Sequence, residues 1–279
     1  MADITTIILT YNEEKNIAEC INSVKSISKR IVVVDSFSTD KTTEIAANMG
    51  AEVLEHKFVN YSKQFIYAME ASKIDTKWVF RIDADERLSE ASSKELEKLV
   101  SLHADDDVNG IVVRFEVEFM GKKLRHGGIY PFKKLLVFKY GKGHMEDRNM
   151  DEHIVLDEGI SVEMKNDSIH KDFKDLTRWI DKHNKYADRE CMDYFGRVKY
   201  SDNASLNRTA KIRRFLKFQV YYKLPMGMRA HLYYWYRYYF KLGFLDGKEG
   251  KIFCFLQAYW YRFLVDAKIH EINIKSGSK

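Results

Sequence analysis

Four short apolar runs rich in β-branched residues, TTIIL at 5–9, IVVV at 31–34, AEVL at 51–54 and WVFRI at 78–82, alternate with segments of helical periodicity. Runs that are apolar on both faces belong in a parallel sheet covered by helices. Between the first two, Ile17, Cys20, Ile21 and Val24 recur at helical spacing, and Asn12 ahead of Glu13 and Glu14 is the predicted N-cap. A second helix is predicted over 40–49, stopped by Gly50. The resulting order, βαβαβαβ, is that of a nucleotide-binding α/β sheet, whose ligands gather at the carboxyl ends of the strands. Beyond it, strands are predicted over 111–119, 135–140 and in short pieces from 154 to 169, and a helix over 176–190.

Several classes drop out. No apolar run approaches the ~18 residues of a membrane-spanning helix. The N-terminus carries Asp3 and no basic stretch before its β-like run, which argues against a secretory signal and for the cytoplasm. Cys20, Cys191 and Cys254 are odd in number and widely separated, giving neither a disulfide framework nor a metal-ligand spacing. Neither GxGxxG nor GxxxxGK[ST] follows the first strand, which excludes the usual dinucleotide and P-loop sites.

The net charge of +5 is unevenly spread. Residues 211–262 hold 11 Lys or Arg against two acids, so that stretch carries +9 and the rest of the chain −4. The same stretch contains the aromatic run Tyr233, Tyr234, Trp235, Tyr236, Tyr238, Tyr239 and Phe240. This shift in composition divides the expected organisation into a catalytic domain, 1–204, and a basic, aromatic helical extension, 205–279.

The sharpest chemical signal is FRIDADE at 80–86. An apolar strand delivers Asp83 and Asp85 two residues apart, and strand alternation would put both carboxylates on one side. Clustered carboxylates call for a cation, and oxygen ligands suit Mg²⁺ or Mn²⁺, which in turn hold a diphosphate. A solvated loop cap is the competing reading.

The segments TYNEE at 10–14, VVDSFSTDKT at 33–42 and WVFRIDADE at 78–86 resemble, in order and separation, the signature segments of the family 2 glycosyltransferases, inverting enzymes of the GT-A fold. The resemblance implies an α/β GT-A nucleotide-diphospho-sugar transferase sheet with a C-terminal helical extension. It further implies that Thr10, Tyr11, Asn12 and Glu13 line the nucleotide pocket, and that Asp35 accepts hydrogen bonds from the base. Asp83 would address the ribose, Ala84 would lie against the donor, and Asp85 would hold the metal. Lys63 and Gln64 correspond to a position that commonly faces the donor.

An inverting transfer needs a carboxylate to take the proton of the acceptor hydroxyl. The segment MDEH at 150–153 resembles the base motif of bacterial surface-polysaccharide enzymes, with Glu152 the expected base and Asp151 the alternative. A surface acidic patch is the other reading of this run. His170 resembles a third metal ligand of related enzymes; a structural histidine is the alternative. Lys182, His183 and Tyr186 on the helix over 176–190 would form either an acceptor- or phosphate-facing surface or a solvated one, and Arg148 could reach the diphosphate.

Three amphipathic helices are expected in the C-terminal third. In the middle one Leu232, Trp235, Tyr236, Tyr239 and Phe240 share a face, with Arg229, Arg237 and Lys241 on another. The last carries Ile252, Phe255, Leu256, Tyr259 and Phe263 behind a capping box from Asp246 to Glu249. Basic and aromatic residues together suit an anionic membrane surface. Closure of the catalytic core, a homodimer contact and single-stranded nucleic acid are the competing readings, the last disfavoured. The expected function is transfer from a nucleotide sugar, a UDP-sugar in particular, to a lipid-linked saccharide acceptor at the inner face of the membrane. A nucleotidyltransferase, or a non-catalytic nucleotide-sugar- or nucleic-acid-binding protein, is the alternative.

Overall fold

The computed structural model describes residues 2–146, 153–171, 175–196 and 221–277. Two compact units result: residues 1–116 with 132–172, and residues 117–131 with 173–279. The division expected at 204/205 lies outside the described residues.

In the first unit, strands β1 (Ile4–Thr10), β2 (Arg30–Asp35), β3 (Glu52–Glu55) and β4 (Trp78–Asp83) form a parallel block in the order β3-β2-β1-β4. Strand alternation explains why these runs are apolar throughout. Ile4 and Ile8 point to the face packed by Ile17, Ile21 and Val24 of helix α1 (Ile17–Lys25) and by Leu96 and Val100 of α4 (Glu90–Leu102). Ile7 and Leu9 point to the opposite face, against Phe65 and Ala68 of α3 (Tyr61–Ala71). Each such fully buried side chain contributes about 1.5–3 kcal/mol. The remaining helix of this block, α2 (Thr42–Asn48), ends ahead of Gly50, whose φ of 88° is left-handed and suits glycine.

Beyond β4 the sheet turns antiparallel. β8 (Phe132–Lys139) pairs with β4 and with β6 (Val108–Phe119), and the order runs on through β11 (Ile160–His170) to the two-residue β5 (Glu86–Arg87). The short strands β9 (Gly143–Met145) and β10 (Ile154–Leu156) form a separate antiparallel pair.

Asn12 is not the cap of α1, which begins after Asn16. Instead Asn12 sits at φ 53°, a left-handed conformation that asparagine tolerates, and its side-chain oxygen accepts from Thr39 N at 2.8 Å.

In the second unit, β7 (Lys122–Leu124) pairs with the end of β6, and α5 (Leu176–Gly196) packs Ala187 and Cys191 on Tyr261, Val265 and Ile269. Two helical runs follow. α6 (Met228–Trp235) continues in π-helical turns to Phe240. α7 (Gly247–Cys254) passes through π-helical turns, Phe255–Trp260, into α8 (Tyr261–Lys275).

Here two of the three cations expected at the surface, Arg229 and Arg237, lie inside, while Lys241 is outward. Leu232, Trp235, Tyr236, Tyr239 and Phe240 are exposed. Arg229 is held by Asp266, and the Arg237 guanidinium donates to Gly127 O at 2.6 Å and to Gln257. The capping box is also absent. The Asp246 carboxylate accepts from Arg125 N, His126 N and His126 Nδ1, the last two at 2.8 Å, and makes no bond to its own helix. Trp260, by contrast with Trp235, packs against Trp179.

Candidate active site

Thr10, Asp35 and Asp83 terminate β1, β2 and β4, so the parallel block brings their carboxyl ends together. The loops after β1 and β2 are stitched to each other. Asn12 N donates to Ser38 Oγ at 2.7 Å, Glu13 N to Thr42 Oγ1 at 2.8 Å and Glu14 N to Asp40 Oδ2 at 3.2 Å. Asp35 is fully buried and accepts from Ser38 N at 2.6 Å and Ser38 Oγ at 2.5 Å. Each carboxylate oxygen has two lone pairs, so these bonds do not exhaust its acceptor capacity. The Thr10 hydroxyl, also buried, finds no hydrogen-bond partner among the described residues. Tyr11 and Phe37 stand exposed at 58% and 54% on the two loops, two aromatic surfaces at the mouth of the sheet.

Asn60 caps α3 by accepting from Lys63 N at 2.7 Å, leaving the Lys63 side chain exposed. Gln64 is buried, and its amide nitrogen donates to Ser36 Oγ at 2.8 Å and His56 O at 3.0 Å, while its oxygen meets His56 Nδ1. Its hydrogen-bonding groups are committed to tying the end of β2 to the segment before α3. Of the pair, Lys63 alone is exposed.

The acidic pair departs from the alternation expected of it. Strand β4 stops at Asp83, and Ala84 and Asp85 form a turn into β5. Ala84 N is anchored to Leu9 O at 3.2 Å, and Asp85 O accepts from Lys171 N at 3.0 Å. The two carboxylates therefore have different surroundings. Asp83 is flanked by cations, with Arg81 Nη2 at 3.2 Å and Lys134 Nζ at 3.7 Å. Asp85, half-buried in the turn, precedes a residue paired in register with His170.

Behind this turn lies the fully buried Glu86. Its carboxylate accepts from Lys134 Nζ at 2.6 Å and from Asp83 N at 3.1 Å, and faces His170 Nδ1 at 3.4 Å. Burial alone would push its pKa up, but the Lys134 ammonium, with His170, holds the carboxyl far below the usual range. Burial opposes the charged His170 ring as well, yet Glu86 and Asp85 raise its pKa above the ordinary value. Glu86 stands in plain view beside the acidic pair in FRIDADE, whereas Lys134 arrives from a distant strand with no local signal.

Asp151, Glu152 and Arg148 lie outside the described residues. His183 is not surface-facing: it is buried, its ring stacks on Trp179 at 3.5 Å, and its Nδ1 lies 2.9 Å from Trp179 O.

The family model described as glycosyl transferase family 2 matches residues 5–154, which takes in both loops and the acidic turn. The chain belongs to this family. It is similar along 99% of its length to an uncharacterised glycosyltransferase of Rickettsia typhi, at 29% identity and covering 89% of that protein. A lipopolysaccharide core biosynthesis glycosyltransferase of Rhizobium meliloti, LpsC, is 27% identical over 66% of this chain and 68% of its own. Among solved structures, a mannosyltransferase of Pyrobaculum calidifontis in complex with GDP-mannose and Mn²⁺ superposes over the whole chain and 88% of its own, with TM-score 0.57 and 13% identity. The family 2 chain thus has the GT-A architecture expected of it, with a C-terminal helical region, and is a glycosyltransferase.

Proposed function

We propose that this glycosyltransferase moves a sugar from a nucleotide-sugar donor, a UDP-sugar in the first instance, to a lipid-linked saccharide, with inversion. The observation that carries the donor reading is that the ends of β1, β2 and β4 bring Thr10, Asp35 and Asp83 together beside the turn that holds Asp85. Asp83, flanked by Arg81 and Lys134, has its charge met within the protein and suits a hydrogen bond to ribose. Asp85 stands next to the β5–β11 pairing that brings in His170.

Among the described residues no three His, Cys, Asp or Glu side chains converge as a complete cage for a metal. That fits a cation held by substrate as well as protein, since Mg²⁺ is commonly bound by one or two carboxylates plus phosphate oxygens. Asp85 and His170 would hold Mg²⁺ or Mn²⁺, which when bound offsets the charge of the departing diphosphate. Tyr11 and Phe37 offer faces for the base, Asp35 its remaining lone pairs, and the Thr10 hydroxyl an unspent donor. Glu152, or Asp151 in its place, takes the acceptor hydroxyl proton while that oxygen attacks the anomeric carbon and the bond to the diphosphate breaks.

The acceptor reading rests on the outward aromatic face of α6 and its extension, where Lys241 Nζ lies 5.6 Å from the centre of the Tyr236 ring, and on the exposed Lys223, Lys248 and Lys251 of the same unit. No helix among the described residues is long and apolar enough to cross a membrane. We assign this face to the surface of an anionic membrane at its cytoplasmic side, where aromatic rings enter the headgroup region and lysines meet phosphates. The similarity to LpsC agrees with a saccharide acceptor of the cell surface.

Thermal unfolding across a panel of UDP-, GDP- and ADP-sugars, with and without Mn²⁺, tests the donor. A ligand that binds only the folded state raises Tm, by about 2.7 kcal/mol of stabilisation at 100 Kd. A rise with one nucleotide class that requires Mn²⁺ is expected; no rise with any of them overturns the reading.

A further inference from the structure

We propose that Glu86 is a positioning residue for the donor site, holding both the His170 ring and the turn that presents Asp85. The proposal rests on the assignment of Asp85 and His170 to the metal. Three geometric facts carry it. First, Glu86 reaches back to accept from Asp83 N at 3.1 Å, so the side chain on one end of the turn grips the backbone at the other, with Asp85 between them. Second, Glu86 and His170 are register partners on β5 and β11, and the otherwise unpartnered Nδ1 of the ring lies 3.4 Å from the Glu86 carboxylate, an ion-pair distance short of hydrogen-bond geometry. The other ring nitrogen, Nε2, is thereby directed away from Glu86. A histidine that ligates a metal through one nitrogen characteristically has the other engaged by a carboxylate, which sets tautomer and ring orientation. Third, Lys134 Nζ bridges Glu86 at 2.6 Å and Asp83 at 3.7 Å, coupling the grip on the turn to the charge at the end of β4.

A fully buried carboxylate is a poor way to gain stability, because desolvating it offsets most of what its cation returns. Orientation explains the arrangement better than stability does. Glu86 touches none of the reacting groups; it acts through His170 and the turn.

Glu86→Gln in the full chain keeps the shape and the bond to Asp83 N while removing the charge that faces His170 and Lys134. Mn²⁺ affinity, read by electron paramagnetic resonance with and without UDP, should weaken by about 10- to 100-fold, the usual effect of losing an outer-shell carboxylate. The ¹⁵N signals of the His170 ring in the metal-free protein should shift toward a mixture of tautomers. Glu86→Gln added to His170→Gln should weaken Mn²⁺ little further than His170→Gln alone, since Glu86 acts through His170. A folded Glu86→Gln with Mn²⁺ affinity within about twofold of wild type, against that 10- to 100-fold scale, would overturn the positioning role alone. A wild type that binds no Mn²⁺ even with UDP would overturn the metal assignment and this proposal together. Should Glu86→Gln not fold, Glu86→Asp keeps the charge but shortens its reach, and unaltered Mn²⁺ binding there would count equally against the proposal.

Discussion

Arg229 and Asp266 form an ion pair inside the helical unit, with side chains only 2% and 3% exposed. Asp266 also accepts from Gly227 N at 3.0 Å, so one carboxylate closes the start of α6 onto the middle of α8. The basic character of this stretch is therefore partly internal. Arg229→Gln strands a buried carboxylate, and a loss of about 3–5 kcal/mol is expected. Urea unfolding monitored by tryptophan fluorescence checks it; a loss below about 1 kcal/mol would place Arg229 among surface cations.

The outward residues should behave in the opposite manner. Phe240 is 79% exposed, and Phe240→Ser with Trp235→Ala and Lys241→Gln should leave stability within about 0.5 kcal/mol per substitution. Binding to phosphatidylglycerol vesicles should fall sharply, and salt should weaken the lysine share of it. Equal sedimentation of wild type and triple variant would point to a protein partner, and a dimer that the triple variant dissociates would identify that partner as a second copy.

Asp85→Asn should abolish most transfer with little change in Tm, because the carboxylate belongs to a turn whose backbone is already anchored at Ala84 N and Asp85 O. Removing a charged contact to a catalytic cation costs several kcal/mol of transition-state stabilisation. Turnover near wild type at limiting Mn²⁺ would remove Asp85 from the metal.

Glu152→Gln should preserve donor binding while transfer falls about 10²-fold or more, the scale of general-base catalysis. Asp151→Asn is the paired measurement: a larger loss there reassigns the base, and full activity in both removes this segment from the chemistry.

Burial pushes the Cys191 thiol up to about 11, against an ordinary value of 9.0. The unfolded chain then releases this proton first, so the contribution is intact below pH 9 and is lost as pH rises toward 11, by about 2 kcal/mol at pH 11. Urea midpoints at pH 8, 9.5 and 11 should fall more steeply for wild type than for Cys191→Ala. Parallel slopes would show that the thiol titrates as in the unfolded chain.

The parallel block was legible because β1, β2 and β4 are buried on both faces, and burial on both faces leaves a pattern in composition alone. The turn at Ala84 and Asp85 was not, because nothing local announces that the chain leaves β4 to pair with β11; that is a long-range choice. α4 was hidden for a related reason: in a helix rich in Ser, Glu and Lys, only Leu96, Leu99 and Val100 reach the main hydrophobic core. The burial of Arg229 and Arg237 is not legible in the sequence because hydropathy assigns arginine to water, whereas here Asp266 and a backbone carbonyl supply the partners that let both go inside. Lys134 was invisible for want of any motif, and the chemistry of Gln64 was legible only as a position, without the His56 and Ser36 contacts that occupy it.

The pairing of β5 with β11 also sets an order of assembly. Strands β1 to β4 are contiguous in the chain and can dock as each emerges from the ribosome. The acidic turn, by contrast, receives its Lys171 N–H and its Glu86–His170 neighbourhood only after the chain has passed residue 171. A chain ending near residue 150 would bear both aspartates and keep the Ala84 N anchor to Leu9 O, yet lack the Lys171 and His170 contacts of the turn. On the proposed assignment of Asp85 and His170 to the metal, the complete turn therefore forms only once the last strand of this unit has been made.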